Sequence, residues 1–382
     1  MNNFSYQNPT RIHFGKGQIA KLSNEIPTNA KILILYGGGS IKKNGTLDQV
    51  MSTLSEHTVV EFGGIEPNPK YDTLMRAVEL ARSEEIDFLL AVGGGSVIDG
   101  TKFIAAAIGF EGDPWTILSE GARFTHAVPA GNVLTLPATG SESNCAAVVT
   151  RDQDKLSFIH PLVYPQFTVL DPETTYSLPA GQSANGVVDA YIHVMEQYLT
   201  CRDDAFVQDR YAEGLLQTLI SEGPKVLSDP ENYEVRSTIM WAANQALNGL
   251  IGLGVPQDWA THMIGHEITA LYKLDHAQTL AIVLPSLMDV MREQKAPKLL
   301  QYAERVWGIQ EGSDQERITQ AIDQTRNFFE SMGIHTRLSY YNIGKDSVDQ
   351  LVAQLERHGM TAIGEKGAIT LQIAKTILQK SL

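Results

Sequence analysis

The chain has 382 residues, 43% hydrophobic and 19% charged, with 30 Lys and Arg against 44 Asp and Glu and a formal net charge of −14. That length exceeds what one core usually serves and predicts two domains, while the acidic balance argues against nucleic acid and anionic membrane as partners, since both demand basic patches. Two cysteines, Cys145 and Cys201, cannot build a disulfide framework, and MNNFSYQNPT has neither a basic n-region nor an apolar h-region, so structural cysteines and a cytoplasmic location are the expectation. Apolar runs such as TLAIVLPSLM from Thr279 are far too short to span a bilayer.

Up to about Leu178 the pattern alternates. IHF, ILILY, TVVEF, FLLAV, NVLTLP and FTVLD read as short strands, and YDTLMRAVELARSEE reads as an amphipathic helix between two of them. Such alternation implies a mostly parallel sheet with helices on both faces. Two strands run straight into glycines. KILILYGGGSIKK reaches Gly37, Gly38, Gly39 and Ser40, and DFLLAVGGGSVIDGTK reaches Gly94, Gly95 and Ser96, with Asp99 one turn later. A strand, a tight glycine turn and a helix start let the backbone approach a phosphate and offer it N–H donors. Neither junction is the GxGxxG fingerprint. The second is the better pyrophosphate candidate, because Ser96 can cap the helix and Asp99 can reach back toward ribose or amide groups. Local cations for a polyanionic cofactor would be Lys42 and Lys43 beside the first junction, and Lys155.

After LPAGQSANG the strand signal stops. From Val187 onward the chain reads as long helical segments broken at Gly-Pro and Asp-Pro steps (Gly223, Asp229), so the second domain is expected to be all-α. The division is 1–178, a Rossmann-like α/β dinucleotide-binding domain, and 179–382, an all-α metal and substrate domain. Within the helical half, Asp189 and His193 lie one turn apart in VVDAYIH, His262 and His266 lie one turn apart in THMIGHE, and His276 follows. Residues four apart on a helix point the same way, so each pair can present donors to one point. One carboxylate with imidazoles suits Zn²⁺, Fe²⁺ or Mn²⁺ rather than Mg²⁺ or Ca²⁺. The flanks are apolar, and an unpartnered polar group buried there costs roughly 1–3 kcal/mol. A zincin is excluded: Glu267 follows His266 as in HExxH, but the second His position holds Ala270. Metal ligands in one half and glycine junctions in the other predict chemistry in an interdomain cleft.

The order of GGGS, EPNP, GGGSVIDGTK, LPATGSESN, DAYIH and THMIGHEITALYKLDHAQ resembles the iron-containing (metal-dependent) alcohol dehydrogenases over nearly the whole chain. It looks closest to their NADPH-dependent aldehyde reductase and butanol dehydrogenase branch. The resemblance implies the dehydroquinate-synthase-like architecture of that family. It implies Asp189, His193, His262 and His276 as ligands of one divalent ion, Fe²⁺ or Zn²⁺. His266 would instead face nicotinamide and substrate, as the candidate proton path, directly or through water and a ribose hydroxyl. It also places Gly94, Gly95, Ser96 and Asp99 on the pyrophosphate and nicotinamide side of the dinucleotide, and Asn68, Thr135, Thr139, Ser141 and Lys155 in the cofactor pocket. Family members carry an Asp after the first strand, which would bond the adenosine ribose and repel a 2′-phosphate. Here Gly37, Gly38, Gly39 and Ser40 stand there, which implies NADP(H).

The expected activity is metal-dependent, NADPH-linked reduction of small aldehydes to alcohols, reversibly, by a homodimer paired through the strand near Arg11 to Phe14. The alternatives are a polyol dehydrogenase or a dehydroquinate-synthase-like lyase, and, furthest off, a non-catalytic metal-binding protein. A lyase for an anionic sugar phosphate should gather Lys and Arg at the ligands. Near them stands Lys273, amid Tyr191, Trp259, Met263, Ile264 and Leu274.

Overall fold

The computed structural model describes residues 1–200 and 204–382; Cys201 lies outside the described residues. Internal packing divides the chain into an α/β unit, Gln7–Pro179 with Glu231–Asn244, and a helical unit, Met1–Tyr6 with Ala180–Pro230 and Gln245–Leu382. This division by packing differs from a single cut at 178 in two segments, 1–6 and 231–244. Asn2 N–H donates to Gly254 O at 2.8 Å, which ties the first residues to the helical unit. Met240 is fully buried in the sheet core and Trp241 meets Phe14 edge-on at 5.6 Å, which ties the second segment to the α/β unit.

The strands of the α/β unit are β1 (Arg11–Phe14), β2 (Lys31–Tyr36), β3 (Thr58–Phe62), β4 (Phe88–Gly94), β5 (Ala130–Leu136), β6 (Ala146–Arg151), β7 (Asp154–Ile159) and β8 (Phe167–Leu170). Six make a parallel sheet in the order β1-β8-β5-β4-β2-β3. Period-2 alternation divides its side chains. Leu33, Leu35, Leu89, Ala91 and Leu134 pack under the helices Tyr71–Ser83 and Gly95–Ala107. Ile32, Ile34, Phe88, Leu90, Val92 and Val133 face Leu22, Leu47, Val50 and Leu54 on the other side. Both faces being covered, β2 from Ile32 and β4 throughout are free of charged residues. The remaining pair, β6 and β7, is an antiparallel hairpin absent from the sequence expectation. Its two-residue turn begins at Asp152, held at φ 56°, a conformation Asp tolerates because its short side chain can bond the local backbone.

The strand order locates a binding crevice. From β2 the chain moves outward to β3, whereas from β4 it moves the other way to β5, and β2 and β4 are neighbours. Ligands of open α/β sheets bind outside the carboxyl ends of strands at such a reversal. Both glycine junctions sit there.

The helical unit includes the helices Ala180–Tyr198, Phe206–Glu222, Ala260–Tyr272, His276–Val290, Ala296–Arg305, Asp314–Ser331, Asp346–Arg357 and Leu371–Lys380. Ile264, Ile268, Ile282, Val283, Leu351, Leu355, Ile377 and Leu378 interlock in one core. The all-α expectation needs one amendment: β9 (Ala362–Ile363) and β10 (Ile369–Thr370) form a short antiparallel ladder. No helix among the described residues is long and apolar enough to cross a membrane.

Candidate metal centre and cofactor crevice

The helix Ala180–Tyr198 is buried from Gly186 to its end, and Asp189, His193 and Glu196 recur on it at steps of four and three, one face of an α-helix. The chain returns to that face through Trp259, which at φ 62° turns it into the helix Ala260–Tyr272. Ala260 N–H donates to Asp258 Oδ1 at 3.1 Å and Thr261 N–H to Glu196 Oε1 at 2.6 Å, so the new helix starts against these carboxylates. His262 falls in its first turn. His276 opens the next helix, behind a capping box of Asp275 and Gln278, and Asn185 Nδ2 donates to Asp275 Oδ2 at 3.0 Å.

Asp189, His262 and His276 each offer a ligand atom, all within 4.8 Å of one another. His193 Nε2 stands 3.0 Å from His262 Nε2, and His276 Nε2 stands 3.7 Å from Asp189 Oδ1. Atoms bonded to one ion at about 2.0–2.2 Å and about 90–110° apart stand about 2.8–3.6 Å from each other. The 3.0 Å between His193 and His262 falls inside that range and the 3.7 Å between His276 and Asp189 just outside it, so the donors are gathered around one point where small side-chain shifts would let them share a divalent ion. Burial pushes the His193 imidazole down to about 4 despite Asp189 beside it, which leaves it neutral at pH 7 with a lone pair to give. The His193 Nδ1 is buried without a hydrogen-bond partner among the described residues, 3.6 Å from Asp189 Oδ1.

His266 is half-buried, its ring centroid 5.3 Å from that of His276 and 6.2 Å from that of His262. The surroundings need correction. Tyr191 is fully buried with its hydroxyl bonded to that of Tyr302, and Ile264 belongs to the helical core, so both serve packing. Lys273 is exposed. Trp259 is the residue of that group that meets the histidines, at 5.3 Å from the His262 ring and 6.2 Å from the His193 ring.

In the α/β unit, a Cβ on Gly95 would stand 2.4 Å from Thr139 Oγ1, so the glycine is what lets the 139–141 segment close over the start of the helix Gly95–Ala107. Ser96 does not cap that helix. Its Oγ accepts the Asn68 N–H at 3.3 Å, while Gly94 is the N-cap. Asp99 turns inward: it accepts from Ser141 Oγ at 2.5 Å and Val148 N–H at 3.0 Å instead of reaching toward a ribose. Thr135 is buried near the end of β5, and Lys155 is buried on β7 opposite Thr150. The first junction joins the second, since a Cβ on Gly37 would lie 3.6 Å from Val97 Cγ2. There Ser40 opens a short helix, Ser40–Lys43, and Lys42 is already engaged, its Nζ 3.0 Å from Glu61 and 4.9 Å from the Tyr36 ring centre.

Residues 9–172 match the model of the family described as iron-containing alcohol dehydrogenase, and residues 183–367 match that family's C-terminal domain. The chain belongs to the iron-containing alcohol dehydrogenase family. It is 60% identical over 384 residues to the NADPH-dependent aldehyde reductase YqhD of Escherichia coli, covering 99% of each chain. With the NADH-dependent butanol dehydrogenase A of Clostridium acetobutylicum it shares 37% over 388 residues, covering 100% of each. The crystal structure of E. coli YqhD superposes with a TM-score of 0.99 at 59% identity, covering 100% of this chain and 99% of that one.

Two residues with evident work in this iron-containing alcohol dehydrogenase escaped the sequence reading. Glu196 extends the Asp189 and His193 face by one more turn, and the spacing DxxxHxxE was the signal. Lys102 is buried beside Asp99, and its ammonium donates to Ser141 Oγ, Asn144 Oδ1 and Ala146 O at 2.8, 2.9 and 2.8 Å. Burial pushes that amine down to about 8, against the pull of Asp99.

Gly95→Ala is expected to force Thr139 off the helix start, at a cost of about 1–3 kcal/mol in stability, as overpacking usually costs. Urea unfolding checks this. A midpoint equal to wild type would show that the 139–141 segment yields freely.

Proposed function

We propose that this protein reduces small aldehydes to alcohols with NADPH and one divalent metal ion, in a reversible reaction. The observation that carries this reading is the convergence of Asp189, His262 and His276, with His193 against them, in a family of alcohol dehydrogenases. When bound, the ion supplies Lewis acidity to a carbonyl oxygen and NADPH supplies hydride to its carbon. Asp189, His193, His262 and His276 would hold the ion; Fe²⁺ and Zn²⁺ both suit three imidazoles and a carboxylate. The N–H groups at Gly94, Gly95 and Ser96 would receive the pyrophosphate, with Asn68, Thr135, Thr139, Ser141 and Lys155 shaping the pocket around it. Asp99 supports that pocket from behind. His266, beside His276, is the imidazole placed to pass a proton to the product oxygen, directly or through water.

An assay of NADPH oxidation with butanal, run beside metal analysis of anaerobically purified protein, tests the reading. His276→Ala should lose both stoichiometric metal and turnover. Full metal content with near-normal turnover in that variant would sink the ligand assignment.

Cofactor choice rests on the first glycine junction, where Ser40, Lys43 and backbone N–H groups would meet the 2′-phosphate. One charge-assisted hydrogen bond is worth roughly 1.5–3 kcal/mol, so NADPH should be preferred over NADH by about ten- to a hundredfold in kcat/KM. A Cβ at position 38 would meet nothing within 4 Å, so Gly38→Asp should fold normally, weaken NADPH use and bring in NADH. A wild-type enzyme faster with NADH refutes this account.

We propose a homodimer joined through β1, which lies at the edge of the parallel sheet and carries unpaired backbone groups. Light scattering at micromolar concentration should give a particle of twice the chain mass; 41.9 kDa, the mass of one chain, would contradict it.

A further inference from the structure

Glu196 stands one helical turn beyond His193, 3% exposed, with its two carboxylate oxygens engaged by two successive residues of another helix. Oε1 accepts Thr261 N–H at 2.6 Å, one of the helix-start donors that has no partner within its own helix. Oε2 pairs with Nδ1 of His262. That nitrogen lies across the ring from Nε2, which stands 3.0 Å from His193 Nε2. A carboxylate that accepts from Nδ1–H fixes the tautomer with the lone pair on Nε2 and sets the plane of the ring. The buried cation of this corner does not compete for Glu196: Lys295 Nζ donates to Asp258 Oδ2 at 2.8 Å and Leu199 O at 2.7 Å.

We infer that Glu196 is a positioning residue for the metal, acting through His262: it holds the imidazole in the metal-binding tautomer and anchors the helix start that carries it. The inference rests on the metal-site reading above. DxxxHxxE is then one functional face with two ligands and the support of a third.

The test measures Zn²⁺ affinity of the full-length, chelator-stripped protein by competition with a chromophoric chelator, with no substrate present, and the visible spectrum of the Co²⁺-loaded protein. Glu196→Ala should bind Zn²⁺ about 10–100-fold more weakly, as loss of such outer partners typically does. Its Co²⁺ bands should shift, and NADPH affinity by fluorescence should stay at the wild-type value. Glu196→Gln keeps the size and one acceptor oxygen, but its amide nitrogen must face one of two donors, so its Zn²⁺ affinity should fall between the other two. It also serves if the alanine variant fails to fold. Zn²⁺ affinity within about twofold of wild type in the folded glutamine variant, with an unshifted Co²⁺ spectrum, overturns the inference. Wild-type protein that binds no Zn²⁺ would instead overturn the metal-site reading itself, so the two failures are distinguishable.

Discussion

Two carboxylates and an imidazole inside one buried helix constrain the helical unit more than any apolar contact does. Asp189, His193 and Glu196 are each 3% exposed. Burying such groups unpaired costs several kcal/mol apiece, so partners must arrive from other elements. That need dictates where the helix Ala260–Tyr272 begins. Its first turn supplies Thr261 N–H and His262 to Glu196, while Asp258 in the loop before it, a like charge to Glu196, is offset by Lys295. A left-handed Trp259 makes this turn possible, a conformation that costs of the order of 1–3 kcal/mol and persists only where the surroundings over-determine it. Here they do, because relaxing Trp259 would withdraw Thr261 and His262 from Glu196.

The α/β unit answers a different constraint, close approach of backbone. The reversal between β2 and β4 is where open sheets of this kind take ligands, and there a Cβ on Gly93 or Gly95 would collide with Val97 or Thr139. Glycine avoids the collision but gives up rigidity, so the walls need fastening. Lys102 fastens them. Its three N–H donors meet three acceptors from the 141–146 segment, which matches what an ammonium can offer. Asp99 secures Ser141 and the Val148 N–H from the same helix. Burial raises the Asp99 carboxyl while Lys102 and these donors act against the rise, so the pair compensate each other and hold the hairpin of β6 and β7 to the helix Gly95–Ala107.

Legibility followed the reach of the signal. Short runs rich in Val, Ile, Leu and Phe announced the six sheet strands; in β2, β4, β5 and β8, buried on both faces, the run is nearly unbroken. Helical spacing announced the pairs Asp189 with His193 and His262 with His266, because residues one turn apart share a face; only the family resemblance set His266 apart and brought in His276. The hairpin of β6 and β7 was invisible: it is part-exposed, and its turn depends on an Asp at positive φ rather than on Asn-Gly. The bonds of Asp99 to Ser141 and Val148 were not legible, because these partners lie more than forty residues on, beyond local pattern. Ser96 failed as a cap for a similar reason, its hydroxyl being taken by Asn68 N–H from a loop of positive φ. Glu196 carried a visible signal in the DxxxHxxE spacing, but its role depended on a partner, His262, that lies 66 residues on.

If the first glycine junction receives the 2′-phosphate as proposed, little side-chain charge is left there to select it. Lys42 looked like a free cation in the sequence, but Glu61 from the end of β3 offsets it, and both are solvent-accessible enough for water to weaken the pair further. A 2′-phosphate placed there would meet Glu61 as a repulsive neighbour, with Lys42 between them screening it. What then remains is Lys43 on the solvent side, the Ser40 hydroxyl and the N–H groups of the turn. The chain's net −14 counts for little at that spot, because charges more than about 8 Å away are largely screened in physiological salt. On the proposed placement of the 2′-phosphate, selectivity between the two nicotinamide cofactors would be set within one turn of backbone.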